Sequence, residues 1–107
     1  MLGWLILVAE FTKYAAFSQA HARFLSGLLA LAEGDANAAQ QSFRASMEFY
    51  QAVDAPLLAV ATAHCGLGDA ATDLDDADMA AREYDSALSN VVSLRRFALM
   101  ALVRQRP

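Results

Sequence analysis

Apolar and small residues recur at helical spacing along nearly the whole chain, in two stretches that echo each other. From Phe24 to Ser46, one run is lined by Phe24, Gly27, Leu28 and Leu31, and the next by Ala39, Phe43, Ser46 and Met47. Between them, Glu33-Gly34-Asp35 offers a glycine to end one helix and an aspartate to start another, which predicts an antiparallel hairpin with a very short turn. The pattern returns from Cys65 to Ala87. Phe43 and Tyr84, Gly27 and Gly68, Asp35 and Asp76, and Ala39 and Ala80 each lie 41 residues apart. A fixed period of this size is the mark of a helical repeat. β-branched residues are sparse and never alternate with polar ones over a strand length, so the expected class is all-α.

Taken in order, the pattern predicts one helical-repeat domain over 1–107 with five to six helices. It divides into a partial repeat over 1–10, a first repeat over 12–53, a second over 55–92, and a partial repeat or capping helix over 93–107. Met1 to Ala9 is apolar all round, yet far shorter than the roughly 20 residues of a membrane span, and it lacks the basic start of a signal peptide. Shifted by 41, Leu2, Leu5 and Ile6 fall opposite Phe43, Ser46 and Met47, so the segment reads as the second helix of an earlier, truncated repeat. Such a helix needs more protein ahead of it or another chain over it.

Thr12 is the expected N-cap of a helix reaching Ala32, with Phe17, Ala20, Phe24, Gly27, Leu28 and Leu31 inward. Asp35 caps Ala36 to Val53, which turns Ala39, Phe43, Met47 and Tyr50 inward. Asp54-Ala55-Pro56 breaks that helix, and Pro56 suits the first turn of the next. Leu57 to Leu74 carries Val60, Ala61, His64, Leu67, Gly68 and Ala71 inward. Asp75 or Asp76 caps Ala77 to Val91, whose stripe is Ala80, Tyr84, Ala87, Leu88 and Val91. A last helix, Ser93 to Arg104, shows Leu94, Phe97, Ala101 and Leu102 on one side.

Composition changes this picture little. Of 107 residues, 57% are hydrophobic and 19% charged, and much of the apolar excess is alanine, which favours helix and close helix approach. Cys65 is alone, so no internal disulfide forms, and its place opposite Phe24 predicts a small buried hydrophobe. Charge matters more by distribution than by its net value of −4. Seven acids and one base, Arg82, lie between Asp69 and Asp85, whereas only Arg95, Arg96, Arg104 and Arg106 follow. The basic C-terminal end is suited to an acidic partner or, more simply, the two ends neutralise each other between neighbouring helices or molecules. The net sign is wrong for direct nucleic-acid binding.

Candidate chemistry is thin. A calcium loop starting at Asp73 would need glycine where Asp78 stands and glutamate where Tyr84 stands. His21, His64 and Cys65 are too few and too badly spaced for zinc, and His64 reads as a hydrogen-bonded packing residue. No phosphate loop or nucleophile–base set is legible, so no catalytic, cofactor or metal residue is assigned.

With these residues placed, the chain resembles the tetratricopeptide-repeat superfamily. The matching positions are Gly27, Ala39, Phe43 and Ser46 around the Gly34-Asp35 turn, and Gly68, Ala80, Tyr84 and Ala87 around Asp75-Asp76. The period of 41 exceeds the family's usual value of about 34, and neither the early tryptophan nor the late proline of the motif sits where expected. With Ala32-Glu33-Gly34-Asp35, the longer period is similar to the helical-repeat regions of large bacterial signal-transducing transcription regulators. That resemblance implies a cytoplasmic α-solenoid fragment without cofactor. Its expected role is a non-catalytic scaffold for a protein or peptide partner, or for another copy of itself. The concave face of first helices would then draw on Lys13, His21, Arg23, Leu25 and Thr62. A small-molecule-binding helical sensor is the alternative function, and a non-repeat helical bundle the alternative fold.

Overall fold

The computed structural model describes residues 2–53 and 55–104 and contains four helices: α1 (Leu2–Ala32), α2 (Ala36–Ala52), α3 (Leu57–Asp73) and α4 (Ala77–Arg104). No strand occurs among the described residues. Readings that rest on Met1, Asp54 and Arg106 lie outside them. Consecutive helices pack on one another, with a marginal contact between α1 and α3, while α1 and α4 at the two edges do not meet. The result is a slab of 48 × 40 × 18 Å.

The turns are built alike. Gly34 takes φ +80, Asp35 N–H donates to the Ala30 carbonyl at 2.8 Å and Gly34 N–H to that of Leu31 at 3.0 Å, which ends α1 in a Schellman motif. Asp75 takes φ 60, with Asp76 N–H on Ala71 at 2.9 Å and Asp75 N–H on Thr72 at 3.1 Å. Each following aspartate then caps a helix: Asp35 Oδ1 accepts from Ala38 N–H and Asp76 Oδ1 from Met79 N–H, both at 3.1 Å. Of the two aspartates left open by the sequence, Asp76 is the cap and Asp75 the left-handed residue. Pro56 sits at the N-cap of α3, one position before the first turn expected for it.

The helix count corrects the expected five to six. Residues 3–10 are the start of α1 and residues 93–104 the end of α4, because neither segment meets a breaker where the middle of the chain has Pro56. Thr12 is not a cap; its hydroxyl donates back to the Val8 carbonyl at 2.9 Å, inside the helix. At 1.5 Å per residue the 31-residue α1 runs about 46 Å and the 17-residue α2 about 25 Å. The first half of α1 and the last third of α4 therefore overhang the α2–α3 turn.

Packing centres on Phe43, which is fully buried. A Cβ placed on Gly27 of α1 would lie 2.6 Å from its ring, and one on Gly66 of α3 2.7 Å from it. The ring is held between two helix backbones, with Phe24 tilted against it at 5.5 Å between centroids. Ala39, Ser46, Met47 and Tyr50 are buried beside it, as the stripe of α2 predicts. Other stripes need correction. Ala20 and Gly27 are buried in α1, but Phe17 and Leu28 remain 38% and 44% exposed, and Ala30 is buried instead. On α4, Ala80 and Ala87 are buried, whereas Tyr84, Leu88 and Val91 are 39%, 61% and 46% exposed. Leu94, Phe97, Ala101 and Leu102 are exposed as well. An edge helix has one neighbour, so a stripe wide enough for two is half open.

Alanine usually stabilises a helix relative to glycine, and Gly3→Ala, with nothing within 4 Å, should raise stability by up to about 1 kcal/mol. Gly66→Ala should instead lower it by about 1–3 kcal/mol, because the added methyl meets the Phe43 ring. Phe43→Ala should cost about 3–5 kcal/mol. Urea titration of the three variants checks the sign change; equal effects of the two glycine variants would refute the clamp. Asp75→Gly relieves a left-handed backbone and should raise the thermal midpoint, with a gain up to about 1 kcal/mol.

Candidate functional site

α1, α2 and α3 diverge beside the overhang and leave an apolar groove of about 400 Å³. Phe17, His21 and Phe24 come from α1 at helical spacing, Tyr50 from the last turn of α2, and Leu58, Ala59 and Thr62 from α3, with Pro56 at one end. Small residues on α3 make the opening: Ala59 faces aromatic rings that it is too short to reach across. Phe17 and Tyr50 pack at 5.6 Å between centroids and form one wall.

Two further hollows lie along α1. The first is lined by Glu10, Lys13, Tyr14 and Phe17 with Val53, Ala55 and Pro56, the second by Trp4, Leu7, Val8, Glu10, Phe11 and Tyr14. The second is lined by α1 alone and turns away from the groove, Val8 lying about 180° round the helix from Phe17. The first shares Phe17 and Pro56 with the groove and makes one channel with it, whose charged groups, Glu10 and Lys13, lie at its outer end. Trp4, Phe11 and Tyr14 are 71%, 73% and 71% exposed.

Of the five residues expected on a concave face, all are exposed. His21 and Thr62 line the groove together and Lys13 lines its continuation. Arg23 and Leu25 line neither: two residues along a helix rotate a side chain by about 200°, which carries Arg23 to the far side of α1 from His21. The Thr62 hydroxyl donates to the Leu58 carbonyl at 2.7 Å, so it turns back onto its own helix. The Tyr50 hydroxyl and His21 Nδ1 are 3.5 Å apart, too long for a firm hydrogen bond. Of the aromatics expected inward, Tyr50 is buried, Phe24 half-buried and Phe17 exposed, and the groove uses the sides of Phe17 and Phe24 that α3 leaves uncovered.

Other polar groups are structural in their contacts. His64 Nδ1 lies 2.7 Å from Glu83 Oε2 and ties α3 to α4, both side chains being about four-fifths buried. Gln40 donates to Met79 Sδ at 3.4 Å, joining α2 to α4. Cys65 is exposed, which corrects its expected burial: α3 turns Ala63, Gly66, Leu67 and Ala70 inward, and residue 65 falls between those rows. Among the described residues no group of three or more His, Cys, Asp or Glu side chains is placed to hold a metal.

α4 is long and apolar enough by length and composition to cross a membrane. Its one stretch with so few charges, 86–103, carries Arg95 and Arg96 at the centre. There each would cost about 2.5–3.5 kcal/mol, which argues against a span.

Two tyrosines titrate above their ordinary range. The Tyr84 hydroxyl donates to the Asp69 carboxylate, and losing that proton would set two negative charges together; Thr72 opposes the effect and burial adds to it. Burial raises Tyr50, opposed by the Ser46 hydroxyl, which is itself wholly buried without a well-formed hydrogen bond. Both raised values mean that the fold favours the neutral phenol. That contribution is complete below the unfolded value near 10 and is lost as pH rises from there through the folded values. Phenolate absorbance against pH should show two late components, removed one each by Tyr50→Phe and Tyr84→Phe, and Asp69→Ala should bring Tyr84 back toward its ordinary range. A single wave near the ordinary value would contradict these contacts.

No family model matches the chain, and no curated protein or solved structure matches it either, so its role has to be read from its own residues.

Proposed function

We propose that this chain is a non-catalytic helical scaffold, similar to a tetratricopeptide-repeat stack, whose channel along α1 receives an apolar segment of a protein partner. The observation that carries the reading is an apolar groove between α1 and α3 that continues along α1 from Phe24 past Phe17 to Tyr14 and Lys13. From residue 10 to residue 24 a helix rises about 21 Å, room for an amphipathic helix of some four turns. Rings with few hydrogen-bonding groups favour Leu, Met or Phe anchors at helical spacing over a polar peptide. Glu10 and Lys13 at the outer end of the channel set polarity by preferring opposite charges on the two flanks of the guest helix.

A cytoplasmic regulatory setting follows from the resemblance to bacterial signal-transducing regulators, and the repeated Schellman turns 41 residues apart support the repeat reading. A small apolar ligand is the second reading, favoured by a groove volume of about 400 Å³, within the ordinary range for ligand sites.

Fluorescence anisotropy with labelled amphipathic helical peptides bearing Leu and Phe anchors tests the first reading. Micromolar binding is expected. Leu58→Asp and Thr62→Arg change exposed groove residues and should weaken binding by about tenfold or more while circular dichroism stays unchanged. Peptides that bind none of these proteins, together with a thermal shift from a fatty acid or similar apolar ligand, would replace it with the second.

A further inference from the structure

We propose that the open face of α4 is a self-association surface, on which a second copy of this chain lays its own α4 antiparallel about a two-fold axis. The inference deepens the scaffold reading, on which it rests, by naming one partner and a surface distinct from the channel. Three observations carry it. First, the chain exposes 7613 Å², whereas a compact monomer of 11.5 kDa would expose about 5,800 Å². A stable interface takes about 800 Å² from each partner, so the excess is ample.

Second, α4 presents a seam. Ala81, Tyr84, Leu88, Val91, Ala98 and Leu102 follow one another at intervals of three, four or seven residues, and all are exposed. They begin beside the face that Ala80 and Ala87 bury against α3 and cross onto its uncovered continuation by Ala98, five turns after Ala80. Tyr84 marks what is missing. Phe43 is clamped on both sides, by Gly27 and Gly66, but Tyr84 meets a glycine only at Gly68, where a Cβ would lie 2.5 Å from its ring, and remains 39% exposed.

Third, the charges select the second copy and its direction. α4 is net acidic in its first third, where Asp78, Glu83 and Asp85 stand against one base, Arg82, and purely basic later, at Arg95, Arg96 and Arg104. A parallel pair would set like charges side by side. An antiparallel pair centred between Ser89 and Asn90 sets Ala81 against Ala98 and Leu88 against Val91 of the second copy. Arg95, the one charge in the seam, then meets the face of the opposite Tyr84. Asp85 and Arg96 lie three turns apart on one flank, so each Asp85 reaches the opposite Arg96, twice by symmetry. Glu83 is already held by His64 and takes no part.

Disulfide trapping reads the direction. In a Cys65→Ser background, which removes the exposed native thiol, Ala81→Cys and Ala98→Cys chains are oxidised separately and then mixed. These positions are about 25 Å apart along the helix, so an antiparallel pair cross-links the mixture and neither chain alone. Self-cross-linking of each chain would mean a parallel pair and overturn the proposal. Light scattering of the unmodified chain should give a dimer mass. Arg96→Asp or Asp85→Arg alone should weaken it about tenfold, and both together in one chain should restore it. A larger mass without cross-links would assign association to the overhang of α1, and flotation with phosphatidylcholine vesicles in its place would assign the face to lipid; either overturns the pairing. A monomer that still binds helical peptides in the channel overturns the pairing alone. A monomer that binds none overturns the scaffold reading with it.

Discussion

Most of this slab depends on one ring being held between two glycines. Phe43 lies against Gly27 on one side and Gly66 on the other, closely enough that neither position has room for a methyl group. The ring therefore sets the spacing of α1 from α2 and of α2 from α3 at once. It also explains why the middle of the molecule is well buried although alanine supplies so much of it. Small residues let backbones approach, and a single large ring fills the gap that remains. Where the arrangement is made only once, at Gly68 and Tyr84, packing is correspondingly weaker and the tyrosine hydroxyl turns outward to Asp69.

What the sequence made legible follows from how local each signal is. Gly34-Asp35 and Asp75-Asp76 specify turns through their own backbone and carboxylates, and both turns appear where expected. The α2 stripe was legible because α2 has neighbours on both sides. Helix continuation was not. Shifted by 41, the Val53–Pro56 turn corresponds to Thr12-Lys13-Tyr14-Ala15 and to Leu94-Arg95-Arg96-Phe97, neither of which contains a breaker. Periodicity alone placed boundaries there; without proline or glycine the helix runs on.

The groove was only partly legible for a related reason. His21 and Thr62 come together because α1 and α3 both border it, and a count along the helices finds such pairs. Arg23 is near His21 in sequence, yet the helix turns the two about 200° apart. The aromatics were assigned to the core because hydrophobic spacing reports which face turns inward, not how far the opposite helix reaches. Ala59 and Thr62 are too short to cover Phe17 and Phe24, and that shortfall becomes the groove. Apolar residues facing a run of small ones are thus the signal that distinguishes a groove from a sealed core.

The two open surfaces differ in what they ask of a partner. The channel along α1 is lined by Tyr14, Phe17, Phe24 and Tyr50 with Glu10 and Lys13 as its formal charges, so burial drives its occupancy and charge orients the guest. The α4 face is narrower and carries Arg95 within its apolar seam. A lipid bilayer would leave that guanidinium without a counter-charge, and a featureless apolar partner would do the same. A surface pairing it with an aromatic ring, and its neighbour Arg96 with a carboxylate, compensates both. The chain carries such a surface itself, in Tyr84 and Asp85, each about three turns before its arginine on the same helix, and only an antiparallel meeting presents them in the required order.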